Sequence, residues 1–84
     1  MNITELQMLL AAGERDFSNI DLSSAKSSCV NLKDVNLTRA NLRHANLRWA
    51  DLRGADLSWA RIEGADLHAT NLRGTKMPDG TVHN

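Results

Sequence analysis

Three histidines, one cysteine, ten carboxylates and ten cations are the groups in this 84-residue chain from which chemistry could be built. A zinc site needs three or four His, Cys or carboxylate groups converging, and a covalent hydrolase needs a Ser or Cys beside a His. His44, His68 and His83 are scattered, and Cys29 has no second cysteine to join it, so no metal-ligand set forms. No Gly-rich phosphate loop is present. Asp51, Asp56 and Asp66 alternate with Asn at a regular spacing. That spacing belongs to a repeating scaffold, in which Asp and Asn side chains satisfy nearby backbone at corners. The chain therefore reads as no enzyme, with no catalytic, cofactor-binding or metal-binding residue and no cofactor.

Binding chemistry is better represented. Net charge is zero, yet residues 1–34 sum to −2, residues 35–54 to +3 and residues 55–84 to −1. The middle is a basic belt of Arg39, Arg43, Arg48 and Arg53, relieved by Asp51 alone. Such a belt suits phosphates or an acidic partner, or else a solvated face whose Arg stems cover backbone. Trp49 and Trp59 are the second candidate, since aromatics and Arg concentrate at partner interfaces.

The element that must position these residues is written in the apolar pattern. From Phe17 an apolar residue returns every fifth position, through Leu22, Leu32, Leu37, Leu42, Leu47, Leu52, Leu57, Ile62, Leu67, Leu72 and Met77, with Ser27 the one break. A step of five rotates about 140° on a helix and changes face on a straight strand, so neither element gathers these residues on one side. A chain that turns the same way every five residues does gather them, by winding into a stack of coils. The residue two after each apolar one alternates as Trp49, Gly54, Trp59, Gly64, Ala69, Gly74. A four-sided, twenty-residue coil keeps that alternation in register, with Gly54 beneath Gly74, whereas a triangular coil would stack Trp49 on Gly64. Glycine also suits the third residue of a type II corner, where φ is positive.

The run Ala40 to Gly74, with units such as Ala40-Asn41-Leu42 and Ala50-Asp51-Leu52, resembles the pentapeptide-repeat family. By register the resemblance covers Arg15 to Asp79, thirteen pentapeptides. It implies an all-β solenoid, a right-handed quadrilateral parallel β-helix of about three coils. The opening Leu9 to Phe17 and the ending Met77-Pro78-Asp79-Gly80 also resemble small free-standing members from cyanobacteria. The resemblance implies a structural or interaction role, because most members have no assigned activity. Some members mimic DNA and bind DNA gyrase through a long acidic rod. This chain departs from them in its few coils, zero charge and basic middle.

The expected organisation is a single domain, 1–84: an N-terminal capping helix in 1–14, the β-helix over 15–79 and a tail over 80–84. The helix is expected over Thr4 to Ala12, with capping-box spacing at Thr4–Gln7 or Asn2–Glu5, Gly13 as terminator, and Leu6, Leu9 and Leu10 packed on the open coil. Arg15 and Ile20 stand where Ala is usual, and Ser27 is expected to bond a backbone group or water. Stacking by twenty predicts outward columns Lys33–Arg53–Arg73, Ser28–Arg48–His68 and Ser23–Arg43–Glu63, the last with a rung-to-rung ion pair. Trp59 is placed above Arg39, within reach of a cation–π contact.

After Met77, Pro78 blocks continuation and the tail is too short to cap the stack. Leu57, Ile62, Leu67, Leu72 and Met77 are then an open end, which predicts a homodimer through the C-terminal coil. No stretch has the apolar length of a membrane span, and a lone cysteine fits a reducing cytoplasm. The leading function is thus a non-catalytic structural or protein-interaction module of unknown partner. The possible interaction surface is Trp49, Trp59, Arg39, Arg43, Arg48, Arg53 and Arg73, and the alternative is anion or nucleic-acid binding through the Arg belt.

Overall fold

The computed structural model describes all 84 residues, and its architecture grows from one turn repeated every five. The carbonyl of each central residue accepts from the amide three residues on, as in Leu32 O from Val35 N at 3.2 Å and Leu42 O from Ala45 N at 3.1 Å. The third residue of each turn has positive φ at every corner from Asn19 to Gly74, between 57° and 74°. The preceding Asp or Asn locks the turn. Asn41 Oδ1 accepts from Arg43 N at 3.2 Å, Asp56 Oδ1 from Ser58 N at 2.9 Å, and the same bond recurs around the coil. These side chains are scaffold, as their spacing predicts.

Four such turns bring each residue over the one twenty places earlier. Parallel bridges join Asp16 to Asn36, Asn36 to Asp56 and Asp56 to Lys76 on one side, with counterparts on the other three. Amide-to-carbonyl bonds of 2.7–3.3 Å tie coil to coil, such as Leu32 N to Asp51 O and Asp51 N to Val30 O. The pairing on each side is a single bridge rather than an extended strand, because the next turn begins before a strand can lengthen.

Inside the square, Phe17, Leu22, Leu32, Leu37, Leu42, Leu47, Leu52 and Leu57 are fully buried, backed by Val35, Ala40, Ala45, Ala50 and Ala55. Ser27 is buried with them, and of the two partners expected for its Oγ, a backbone group or water, the chain supplies no backbone group. Two inward hydroxyls higher in the stack fare differently: Thr70 and Thr75 donate to the carbonyls of Leu47 and Leu52 in the coil beneath.

The one helix, α1, spans Ile3–Ala11. Asn2 is its N-cap, with Oδ1 accepting from Glu5 N at 2.9 Å. Leu6 is completely buried against the first coil, flanked by Ile3 and Leu10, whereas Leu9 keeps 39% of its surface exposed. The buried face is therefore Ile3–Leu6–Leu10, one step round from the face expected. Arg15 does not enter the core: its Nη1 turns out to donate to the carbonyls of Leu10 (3.1 Å) and Glu14 (2.7 Å), closing the C-terminal end of α1.

At the other end the chain reverses at Asp79 and Gly80. The tail, expected to be too short for any cap, lays Val82 antiparallel to Lys76. Gly74 N donates to His83 O, His83 N to Thr75 O and Met77 N to Thr81 O, at 2.7–2.8 Å. The tail thus seals one side of the last coil.

Candidate functional site

Stacking by twenty sorts the corners into columns: Asn19–Arg39–Trp59, Ser24–His44–Gly64, Cys29–Trp49–Ala69 and Asp34–Gly54–Gly74. At two of them glycine serves packing as well as φ. A Cβ on Gly54 would run into the Asp34 carboxylate, and one on Gly64 into the His44 imidazole. Trp49 and Trp59 stand at opposite corners, 65% and 75% exposed, so they present two separate contacts. Trp49 meets His68 edge to face, with centroids 6.2 Å apart and planes at 87°. Trp59 shares its column with Arg39 but makes no cation–π contact, which corrects that expectation.

The Arg belt is mostly neutralised. Arg43 Nε lies 3.4 Å from Glu63 Oε2, the rung-to-rung pair that the twenty-residue register predicts. Arg48 Nε is 3.7 Å from Asp66, and Arg53 grips Asp51 with two bonds of 2.9 and 2.7 Å. The Arg53 hydrogen bond, above the other causes, holds the Asp51 carboxyl down to about 2. Arg39 and Arg73 have no carboxylate partner. Lys33, Arg53 and Arg73 do fall in one column, interrupted electrically by Asp51.

The aspartates that lock the turns are held ionised. Asp16, Asp21, Asp56 and Asp79 all lie below the ordinary carboxyl range, chiefly because the hydroxyls of Ser18, Ser23, Ser58 and Thr81 donate to them. A carboxyl group serving as general acid or base near neutrality needs the opposite shift. No three His, Cys, Asp or Glu side chains converge as metal ligands, and no helix is long and apolar enough to cross a membrane.

Two surfaces remain. One is an open groove of about 560 Å³ lined by Asn19, Ile20, Asp21, Arg39, Asn41, Trp59 and Arg61. Arg61 is absent from the candidates read from sequence. Its signal was its place, where the repeat puts Asp or Asn in all units but those of Lys26, Arg61 and Lys76. The other surface is the end of the last coil, where Ile62, Leu67, Leu72 and Met77 are half-buried and a groove of about 460 Å³ runs between Ile62, Met77 and Pro78. Leu57 does not belong to it. That side chain is fully buried because residues 75–77 form the rung above it, with Leu57 N donating to Lys76 O at 2.7 Å. On three sides of this end the edge amides of Ile62, Leu67 and Leu72 have no backbone partner.

Comparison with known proteins places these surfaces on a familiar scaffold. No curated protein matches the chain. Among solved structures, a pentapeptide repeat protein from Nostoc PCC 7120 is 35% identical, covering 90% of this chain and 75% of its own, with a TM-score of 0.45. One from the cyanobacterium Cyanothece 51142 is 34% identical over 82% of this chain and 54% of its own, also at 0.45. HetL of Nostoc sp. PCC 7120, a pentapeptide repeat protein involved in heterocyst differentiation regulation, is 30% identical over 81% of this chain and 43% of its own, at 0.33. The chain thus spans three quarters of the first, about half of the second and less than half of the third. The family model described as Pentapeptide repeats matches in 8 copies, over residues 16–54 and 40–79. With the twenty-residue register of its bridges and its repeated central leucines, the chain belongs to the pentapeptide-repeat family.

Proposed function

We propose that this protein is a non-catalytic interaction module that docks through the uncovered end of its last coil, pairing there with a second copy of itself. The asymmetry of the two ends carries this reading. The first coil is closed by α1 through Leu6, while Ile62, Leu67 and Leu72 lie part-exposed beneath unpaired edge amides. An unpaired edge invites another strand edge. A two-fold related copy offers the same alternation of amides and carbonyls in reverse, so the contact is self-complementary. The single exposed Cys29 supports a reducing cytoplasm as its compartment. The alternative, anion or nucleic-acid binding by the whole Arg belt, loses support from the ion pairs of Arg43, Arg48 and Arg53. A gyrase-binding DNA mimic finds no acidic field in a chain of zero net charge.

Light scattering of the wild type at micromolar concentration should give twice 9.3 kDa. Leu67→Lys should give the monomer mass with the circular dichroism of the wild type. A wild-type monomer, or a dimer indifferent to Leu67→Lys, would overturn the reading.

A further inference from the structure

In the groove under Trp59, cations without acidic partners meet an open aromatic face. Arg43, Arg48 and Arg53 are tied to Glu63, Asp66 and Asp51, whereas Arg39 and Arg61 have no carboxylate within 4.0 Å. The one acid in the groove, Asp21, is already engaged. Ser23 donates to its Oδ1 from amide and hydroxyl at 2.9 and 2.6 Å, and the Met1 ammonium, bonded to its backbone carbonyl at 2.8 Å, offsets its charge.

The scaffold does not account for these residues. Position 61 is where the repeat puts Asp or Asn to lock the next turn, as Asn41 does one coil below, and Arg61 supplies no such acceptor. Trp59 stands at an ordinary corner, with a φ of 62° like Trp49 and Arg39, yet it leaves its indole 75% exposed where the turn itself asks for no aromatic. A cation in place of the turn-locking acceptor and an exposed indole therefore converge on one groove.

We propose that this groove binds an acidic peptide segment of a protein partner. A side-chain carboxylate bridges the Arg39 and Arg61 guanidiniums, and a neighbouring apolar side chain lies between the Trp59 indole and Ile20. Guanidiniums hold carboxylates through paired N–H donors, and Trp and Arg are the residues in which interface energy concentrates. A single-stranded nucleic acid would need free cations following its backbone along the surface. The cations that follow Arg39 along its coil, Arg43, Arg48 and Arg53, are already paired. The inference rests on the reading of the chain as an interaction module but not on the dimer.

The test is a titration of the isotope-labelled full chain with a blocked peptide of alternating Glu and Leu, followed by NMR at the two indole N–H signals. A Lys–Leu peptide and single-stranded oligothymidylate serve as comparisons. Saturable movement of the Trp59 signal with the acidic peptide, and not of Trp49, is expected. Arg61→Asn installs the residue type the repeat favours, so it should weaken binding by about tenfold or more while the melting temperature holds or rises. No saturable movement, equal response to the Lys–Leu peptide, or undiminished binding by Arg61→Asn would overturn the proposal. Tighter binding of the oligothymidylate would also overturn it, by assigning the groove to nucleic acid. Light scattering of the same samples separates the two readings: a monomer that binds the acidic peptide removes the dimer and keeps the groove, and a dimer that does not bind it does the reverse.

Discussion

Asp51 does two things with one carboxylate: its Oδ1 accepts the Arg53 amide at 3.1 Å, locking the turn, and the carboxylate pairs with the Arg53 guanidinium. Its pKa falls from 3.8 to about 2, with the Arg53 side-chain bond the largest cause. A folded-state pKa below the unfolded one means that this stabilisation is complete above about pH 4 and is lost as the pH falls towards 2. Asp51→Asn keeps an acceptor for the turn and removes the charge. Its melting temperature at neutral pH should drop slightly, since exposed pairs contribute little, and its decline below pH 4 should be shallower than the wild type's. An acid decline parallel to the wild type's would refute this role. Ser27 makes the opposite case. Its hydroxyl is buried and unpartnered, so Ser27→Ala should raise stability by about 1 kcal/mol in denaturant unfolding. A loss of similar size would show that the hydroxyl is bonded. The Asp and Asn roles were legible because they recur every five residues. The Arg pairings were legible only where register alone sets the partner, as for Arg43 and Glu63. Arg48 to Asp66 depends on how two side chains lean across a corner.

At the scale of the element, α1 acts as a lid. It is too short to be stable alone in water, so its stability comes from the face it buries. Leu6→Ala should cost about 3 kcal/mol, and Asn2→Ala about 1 kcal/mol through loss of the cap. Met8→Ala, at a side chain 68% exposed, should change the urea midpoint little. Equal effects of Leu6→Ala and Met8→Ala would show that the helix is not seated on the coil. Its existence and Asn2 cap were within reach of the sequence, through capping spacing and the Gly13 terminator. Its buried face was not. Leu9 and Ile3 are both plausible neighbours of Leu6, and the angle at which the helix crosses the square coil decides between them. The tail was missed for a related reason. Five residues form no element by themselves, yet Val82 and His83 find a ready edge at Gly74 to Lys76.

For the whole molecule, the unequal ends matter most. One end is closed by α1, and the other leaves three sides of the last coil unpaired. A dimer through that end links folding to association, so the melting temperature of the wild type should rise with protein concentration, while that of Leu67→Lys should not. Melting temperatures independent of concentration in both proteins would count against the end-to-end contact. Zero net charge leaves no long-range field to oppose such a contact or to steer a polyanion towards it.

The amino-acid sequence by itself determined the coil. A turn every five residues is a local rule repeated over thirteen units, twelve of them with a large apolar residue at the centre, and repetition makes local rules legible. The twenty-residue register followed from the alternation of Trp and Gly at the corners. Tertiary structure decided which cations are tied across coils, since Arg43 and Arg48 find Glu63 and Asp66 on the next rung while Arg39 and Arg61 meet no carboxylate; Arg53 finds Asp51 within its own turn. It also decided which apolar residues stay open. Leu57 and Leu67 are alike in the repeat, and one is buried because another rung lies above it while the other has none.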